Sequence, residues 1–193
     1  MDPEVAAALR RWPDVPAVYG WLALDARGNW RLRGEPIGNP ALRHFIDRNY
    51  SADATGRWYF QNGPQRVYVA LALAPLICRL SEHNTPISTH NGLVVERCSR
   101  ALVDELGTIY LVTERGPAAI DDRDGGAVLA RLVGEEGGAL DDAALEAWLR
   151  GARRAAIRLP ELGAAEPLGF ERVPRRSVAG VLRFVLQPDS AVG

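Results

Sequence analysis

Short stretches of alternating apolar and polar residues recur along the chain, and three of them are interrupted by the same spacing, Asp-x-x-Gly: Asp25 to Gly28, Asp53 to Gly56 and Asp104 to Gly107. An Asp carboxylate accepts the backbone N–H two residues on, and a Gly three positions later is free to take a positive φ. That pair predicts a type I turn closed by a Gly bulge, and hence a hairpin. The flanks agree: Trp21, Leu22 and Leu24 precede the first turn, and Trp30 and Leu32 follow it. Leu102 and Val103, then Ile109, Leu111 and Val112, frame the third. Between Arg57 and Leu80 two long segments flank Asn62-Gly63-Pro64, and Val67, Val69, Leu71 and Leu73 alternate as in a strand buried on one face. Toward the end, residues 156–159, 168–173 and 181–186 predict three short strands separated by Pro and Gly.

Helix signals are local. Asp2 with Pro3 predicts a first helix ending near Trp12 and Pro13, and Asn39 with Pro40 opens a second carrying Leu42, Phe45 and Ile46 on one face. Asp124 predicts the cap of a third that Gly134 stops; Asp141 predicts the cap of a fourth, with Leu145, Trp148 and Leu149 on its buried stripe. The first and third Asp turns continue alike into a helix at an offset of 79 residues, which suggests a larger repeat. The expected fold is α+β: two repeated β-hairpin-plus-helix units with mainly antiparallel sheets and about four helices. An N-terminal helix would occupy residues 1–16, the first unit 17–84 and the second 85–193 with the C-terminal strands.

The 193 residues suffice for a buried core without disulfides, and the ordinary balance of apolar and charged residues excludes wholesale disorder. A net charge of −1 offers polyanions only local patches, which points away from nucleic acid. All 23 basic residues are Arg. Schiff-base chemistry, a P-loop lysine and a lysine general base are therefore excluded. No cationic, apolar leader opens the chain, and the most apolar run, residues 67–77, is half a membrane span broken by Pro75. The expectation is a cytoplasmic protein with no membrane partner, whose Cys78 and Cys98 are reduced thiols.

His83 and His90, with Cys78 and Cys98, carry zinc-preferring donors, but their intervals of five, seven and eight residues lack a tight pair. No metal site is expected. Asp121, Asp122, Asp124, Asp141 and Asp142 stand before helices, where caps and first-turn anions belong. There is no Gly-x-Ser-x-Gly elbow and no Gly-x-Gly-x-x-Gly loop, so neither a catalytic residue nor a cofactor is indicated. Aromatic and basic residues interleave once, in Arg57-Trp58-Tyr59-Phe60 and on through Tyr68. Alternation sends Trp58 and Phe60 inward and leaves Arg57 and Tyr59 exposed, able to stack on a ring-shaped ligand. Arg57, Tyr59, Asn62, Gln65, Arg66 and Tyr68 are the candidate ligand-binding residues. The doublets Arg10-Arg11, Arg153-Arg154 and Arg175-Arg176 read as solvated edges.

The run Gly28-Asn29-Trp30, Gly34-Glu35-Pro36-Ile37-Gly38 and Leu42-x-x-Phe45, followed by Pro64-Gln65-Arg66-Val67-Tyr68-Val69 and Pro75, resembles the bacterial family catalogued as domain of unknown function 1285, or a sister family of proteobacterial proteins. The match covers roughly residues 17 to 80. The resemblance implies an α+β protein with repeated motifs and a part in ligand binding or signal transduction, and it brings no catalytic residues. The resulting expectation is a binding or regulatory module without catalysis, its partner a small molecule or a protein. The alternatives are an enzyme using His83 or His90, and a complex subunit with an apolar patch on its C-terminal strands.

Overall fold

Each of the three Asp-x-x-Gly segments closes the turn that its spacing predicts. In each, Asp Oδ1 accepts the amides two and four residues on, at 2.9–3.1 Å. The Gly N–H returns to the Asp carbonyl at 3.0–3.1 Å, with φ of +77°, +81° and +79° at Gly28, Gly56 and Gly107. A fourth turn of the same form goes unnoticed in the sequence because Thr89 stands where the others have Asp. Its hydroxyl accepts the Leu93 amide, and Gly92 takes φ +77°.

The computed structural model describes residues 1–12, 15–80, 86–134, 137–159 and 166–189. His83 and the expected domain boundary at 84/85 lie outside the described residues. The chain divides into two units, Met1–Pro75 with Ala179–Gly193, and Leu76–Val178.

The first unit runs α1 (Pro3–Arg11), β1 (Val18–Leu24), β2 (Trp30–Leu32), β3 (Glu35–Pro36), α2 (Pro40–Arg48), β4 (Tyr50–Ala52), β5 (Trp58–Asn62) and β6 (Gln65–Leu71). Its sheet has the order β3-β2-β1-β6-β5-β4. Neighbours are antiparallel except β1 and β6, which run parallel with Leu24 opposite Leu71. Leu22, Leu24, Phe60, Val69 and Leu71 are buried, and Phe45 of α2 meets Phe60 edge-on at 5.3 Å. Asn39 caps α2 through the amides of Ala41 and Leu42, as its sequence predicts. Asp2 does not cap α1 with its side chain; the carboxylate pairs instead with Arg48 and Asn49.

The second unit runs β7 (Leu76–Arg79), β8 (Ser88–Thr89), β9 (Cys98–Val103), β10 (Ile109–Thr113), β11 (Gly116–Ile120), a 3-10 turn (Asp122–Asp124), α3 (Gly125–Leu129), β12 (Leu132–Val133), α4 (Asp142–Leu149), β13 (Ala156–Ile157) and β14 (Leu168–Arg172). Its eight-stranded sheet has the order β12-β13-β14-β9-β10-β11-β7-β8. The pairs β7/β11 and β9/β14 are parallel. Residues 101–103, 109–111 and 118–119 are all buried, so both faces of the central strands are covered and their apolar runs are continuous.

These sheets correct the expectation of mainly antiparallel hairpin-plus-helix units. Both are mixed. Each contains two three-stranded meanders, and the first strand of the earlier meander runs parallel to the last strand of the later one: β1 beside β6, and β9 beside β14. A hairpin announces itself by its turn, whereas a parallel pair is made by strands far apart in the chain and leaves no local mark. The helix count is also corrected, from four to five among the described residues. Residues 181–186, expected as a strand, begin inside α5 (Arg175–Leu182). Val178 and Leu182, four apart and both buried, are a helical pair that Gly180 and the β-branched valines disguise.

Candidate functional site

The interleaved aromatic and basic residues lie on β5 and β6, and the register decides which of them meet. Tyr59 pairs with Tyr68, Gln61 with Arg66 and Asn62 with Gln65. Side chains alternate between faces, so Arg57, Tyr59, Arg66 and Tyr68 gather on one side of the sheet while Asn62 and Gln65 belong to the other. Gln65 is occupied there, its Nε2 donating to the Pro16 carbonyl at 3.1 Å. Four of the six candidate residues come together and two do not.

Tyr59 is not exposed as expected; it and Tyr68 are buried, at 6% and 3% of their surface. The Arg66 guanidinium carbon stands 4.7 Å over the Tyr59 ring, and that of Arg57 4.8 Å over Tyr68. Tyr19 stacks on Tyr68 at 4.8 Å and 6°. Each ring thus supplies a negative π-face to a cation that covers it. The face extends to β1 and the turn after β2, where Arg33 lies 4.0 Å over the half-exposed Trp21. Tyr19 and the Trp21/Arg33 pair were not foreseen, because their place beside β6 depends on the parallel β1/β6 contact.

Asp53 ties the cluster together. Its Oδ2 accepts from Arg57 Nε at 2.8 Å and from the Tyr68 hydroxyl at 3.0 Å, while Oδ1 accepts from Thr55 and two amides. Burial works to raise its pKa, but the hydrogen bonds from Thr55 and Arg57 outweigh burial and hold the carboxyl well below its ordinary value. The Tyr68 hydroxyl is pushed upward, first by burial and also by Asp53. Arg57 is neutralised by Asp53, whereas Arg66 has no carboxylate partner among the described residues. Opposite Arg66 in the register, Gln61 is wholly buried; its Nε2 donates to the Gly63 carbonyl and its Oε1 has no partner among the described residues.

The other candidates have structural occupations. Asp121 caps the 3-10 turn and pairs with Arg123, which holds its pKa down to about 2 against the opposing effect of burial. Asp124, expected to cap α3, instead accepts from Arg79 and from the Leu80 amide. Asp141 caps α4 through the Ala144 amide. His90 Nδ1 accepts the Ile77 amide at 3.2 Å, and His44 is exposed on α2. Cys78 is fully buried, its thiol pushed up to about 12 by burial. Among the described residues no three His, Cys, Asp or Glu side chains are grouped as metal ligands.

Two solved structures share features of this chain. One is a DUF1285 family protein from Silicibacter pomeroyi DSS-3, 16% identical, covering 88% of this chain and 94% of that one with a TM-score of 0.53. The other is a DUF1285 family protein from Shewanella baltica OS155, also 16% identical, covering 55% of this chain and 87% of that one with a TM-score of 0.44. The first likeness shows a common fold, in keeping with the resemblance carried by residues 17 to 80. No curated protein matches the chain. The model of the family described as "Protein of unknown function (DUF2946)" matches residues 1–188, and the chain belongs to that family.

Proposed function

We propose that the protein is a ligand-binding module and that the arginine-over-tyrosine face of β5 and β6 takes a small, planar, anionic ligand. The observation that carries this reading is the pair of adjacent stacks, Arg66 on Tyr59 and Arg57 on Tyr68, of which only Arg57 has an acid beside it. A guanidinium placed over one aromatic ring can also take a second ring and can offer N–H groups to a carboxylate or phosphate. The reading is one of binding without turnover. A general base works best near the operating pH, and Asp53, held ionised and already accepting five hydrogen bonds, is a poor one.

The test is a thermal-shift series with adenosine monophosphate, phenyl phosphate and benzoate, using ribose 5-phosphate as the ringless control. A ligand at about 100 times its dissociation constant adds about 2.7 kcal/mol to the native state, a readable rise in Tm. The ring-bearing anions should raise Tm, the ringless one should not, and Arg66→Gln should remove the rise. No shift with any ring-bearing anion, or a full shift retained in Arg66→Gln, overturns the reading.

A further inference from the structure

The Asp53 turn is held from outside as well as from within. Residues 183–186, which follow α5, run across it: the Val185 N–H donates to the Gly56 carbonyl at 3.0 Å, and the Leu186 carbonyl accepts the Leu71 N–H at 2.7 Å. A Cβ on Gly56 would lie 2.3 Å from the Arg183 carbonyl oxygen and 3.2 Å from the Phe184 Cα, so the approach is backbone to backbone. At the equivalent Gly107 a Cβ meets nothing within 4 Å. The strap thus belongs to the Asp53 turn and is no general accompaniment of such turns.

The point of attachment ties the strap to the stacked arginines. The Gly56 carbonyl and the Arg57 N–H are the two ends of one planar peptide. Its oxygen takes the Val185 N–H, and its own N–H donates to Asp53 Oδ1 at 3.1 Å. Asp53 Oδ2 in turn holds Arg57 Nε and the Tyr68 hydroxyl. One rigid peptide and one carboxylate therefore separate the strap from the Arg57/Tyr68 stack. The second attachment, Leu71, lies on β6 three residues beyond Tyr68.

The hinge of the strap is strained. The chain leaves α5 at Arg183 with φ +57°, a left-handed conformation that an L side chain enters at a cost, and the Phe184 N–H returns to the Ala179 carbonyl at 2.9 Å. Beyond the hinge only Phe184 is fully buried; Val185 and Leu186 are half-buried. A strained hinge followed by two backbone bonds and one buried side chain makes a segment that opens locally before the sheet does.

We infer that residues 183–186 are a latch that regulates the arginine-over-tyrosine face. Docked, the latch fixes the Gly56–Arg57 peptide and, through it, the carboxylate that orients Arg57 and Tyr68. Undocked, that peptide is free to turn, and Arg57 leaves the ring it covers. This regulation rests on the reading of the face as a binding site. By linkage it is reciprocal: a ligand that needs Arg57 in place holds the latch down.

The experiment combines amide hydrogen exchange with calorimetric titration of phenyl phosphate, on the wild type, on Val185→Pro, which deletes the donor to Gly56, and on Val185→Ala, which keeps it. Without ligand, Val185→Pro should speed exchange of the Thr55 and Arg57 amides at least tenfold and leave those of Arg27 and Asn29, in the Asp25 turn, unchanged. Phenyl phosphate should bind Val185→Pro at least fivefold more weakly than the wild type, and Val185→Ala with wild-type affinity. In the wild type, saturating phenyl phosphate should slow exchange of the Val185 and Leu71 amides at least threefold, a comparison that needs no variant and decides the matter should Val185→Pro not fold. Unchanged exchange at Thr55 and Arg57 in Val185→Pro, undiminished affinity there, an equal loss in Val185→Ala, or no slowing at Val185 in the liganded wild type overturns the latch alone. Failure of every ring-bearing anion to bind the wild type overturns the reading of the face, and the latch with it.

Discussion

The Tyr68 hydroxyl donates to the Asp53 carboxylate across 3.0 Å, joining β6 to the turn that leads into β5. With Arg57 on the same oxygen, this bond makes a turn residue the anchor of a sheet face.

Asp53 should therefore matter beyond its own turn. Asp53→Ala loses the amide acceptors, the ion pair and the Tyr68 bond together, and should lower unfolding stability by about 2–4 kcal/mol in a urea titration, against about 1 kcal/mol for an ordinary turn hydrogen bond. The pH dependence follows from the depressed pKa in the folded state. The stabilisation is complete above the unfolded value of about 3.9 and is lost as pH falls through the lower folded value, because the unfolded chain takes up the proton first. The wild type should thus lose stability on acidification below about pH 4 more steeply than Asp53→Asn, which has no carboxyl to protonate there.

Gly56 and Gly107 occupy equivalent turns with φ of +81° and +79°, yet their surroundings differ. A Cβ on Gly107 meets nothing within 4 Å, whereas one on Gly56 meets the Arg183 carbonyl oxygen at 2.3 Å. Gly107→Ala should cost only the left-handed backbone penalty, about 1–2 kcal/mol. Gly56→Ala should cost distinctly more, about 3 kcal/mol or above, since a backbone atom has to move. Equal losses in paired denaturation curves would contradict this assignment.

The two stacked pairs separate binding from folding. Tyr59→Ala removes a buried ring and should cost about 3–5 kcal/mol, whereas Arg66→Gln loses a cation–π contact at the sheet surface and should cost about 1 kcal/mol or less. Near-native stability in Arg66→Gln, read from its urea midpoint, makes it the variant with which to test the ring-binding face.

Thiol accessibility should follow burial. Cys78 is fully buried with its thiol pushed up to about 12, while Cys98 is only partly covered. Since the thiolate is the nucleophile, iodoacetamide at pH 8 should modify Cys98 well before Cys78 in the native protein, and both equally after denaturation. Mass mapping of the labelled peptides reads the order.

The sequence by itself determined what is local. The carboxylate of each Asp-x-x-Gly turn reaches amides only two and four residues away, so Asp25, Asp53 and Asp104 carry the instruction for their hairpins within five residues. The caps Asn39 and Asp141 and the alternation along β5 and β6 were legible for the same reason, and alternation already placed Arg57 and Tyr59 on one face. Tertiary structure alone decided what is distant. The partners of Asp2 and Asp124 are Arg48 and Arg79, each more than 40 residues away in the chain, and a local cap lost to a long-range ion pair in both cases. Burial of Tyr59 and Tyr68 depends on guanidinium groups folding over them, which periodicity does not encode. The parallel pairs β1/β6 and β9/β14 bring together strands separated by a whole meander, and no turn residue announces them. The second of these pairings sets Val103 opposite Arg172, residues 69 positions apart, a distance over which no side-chain period carries information.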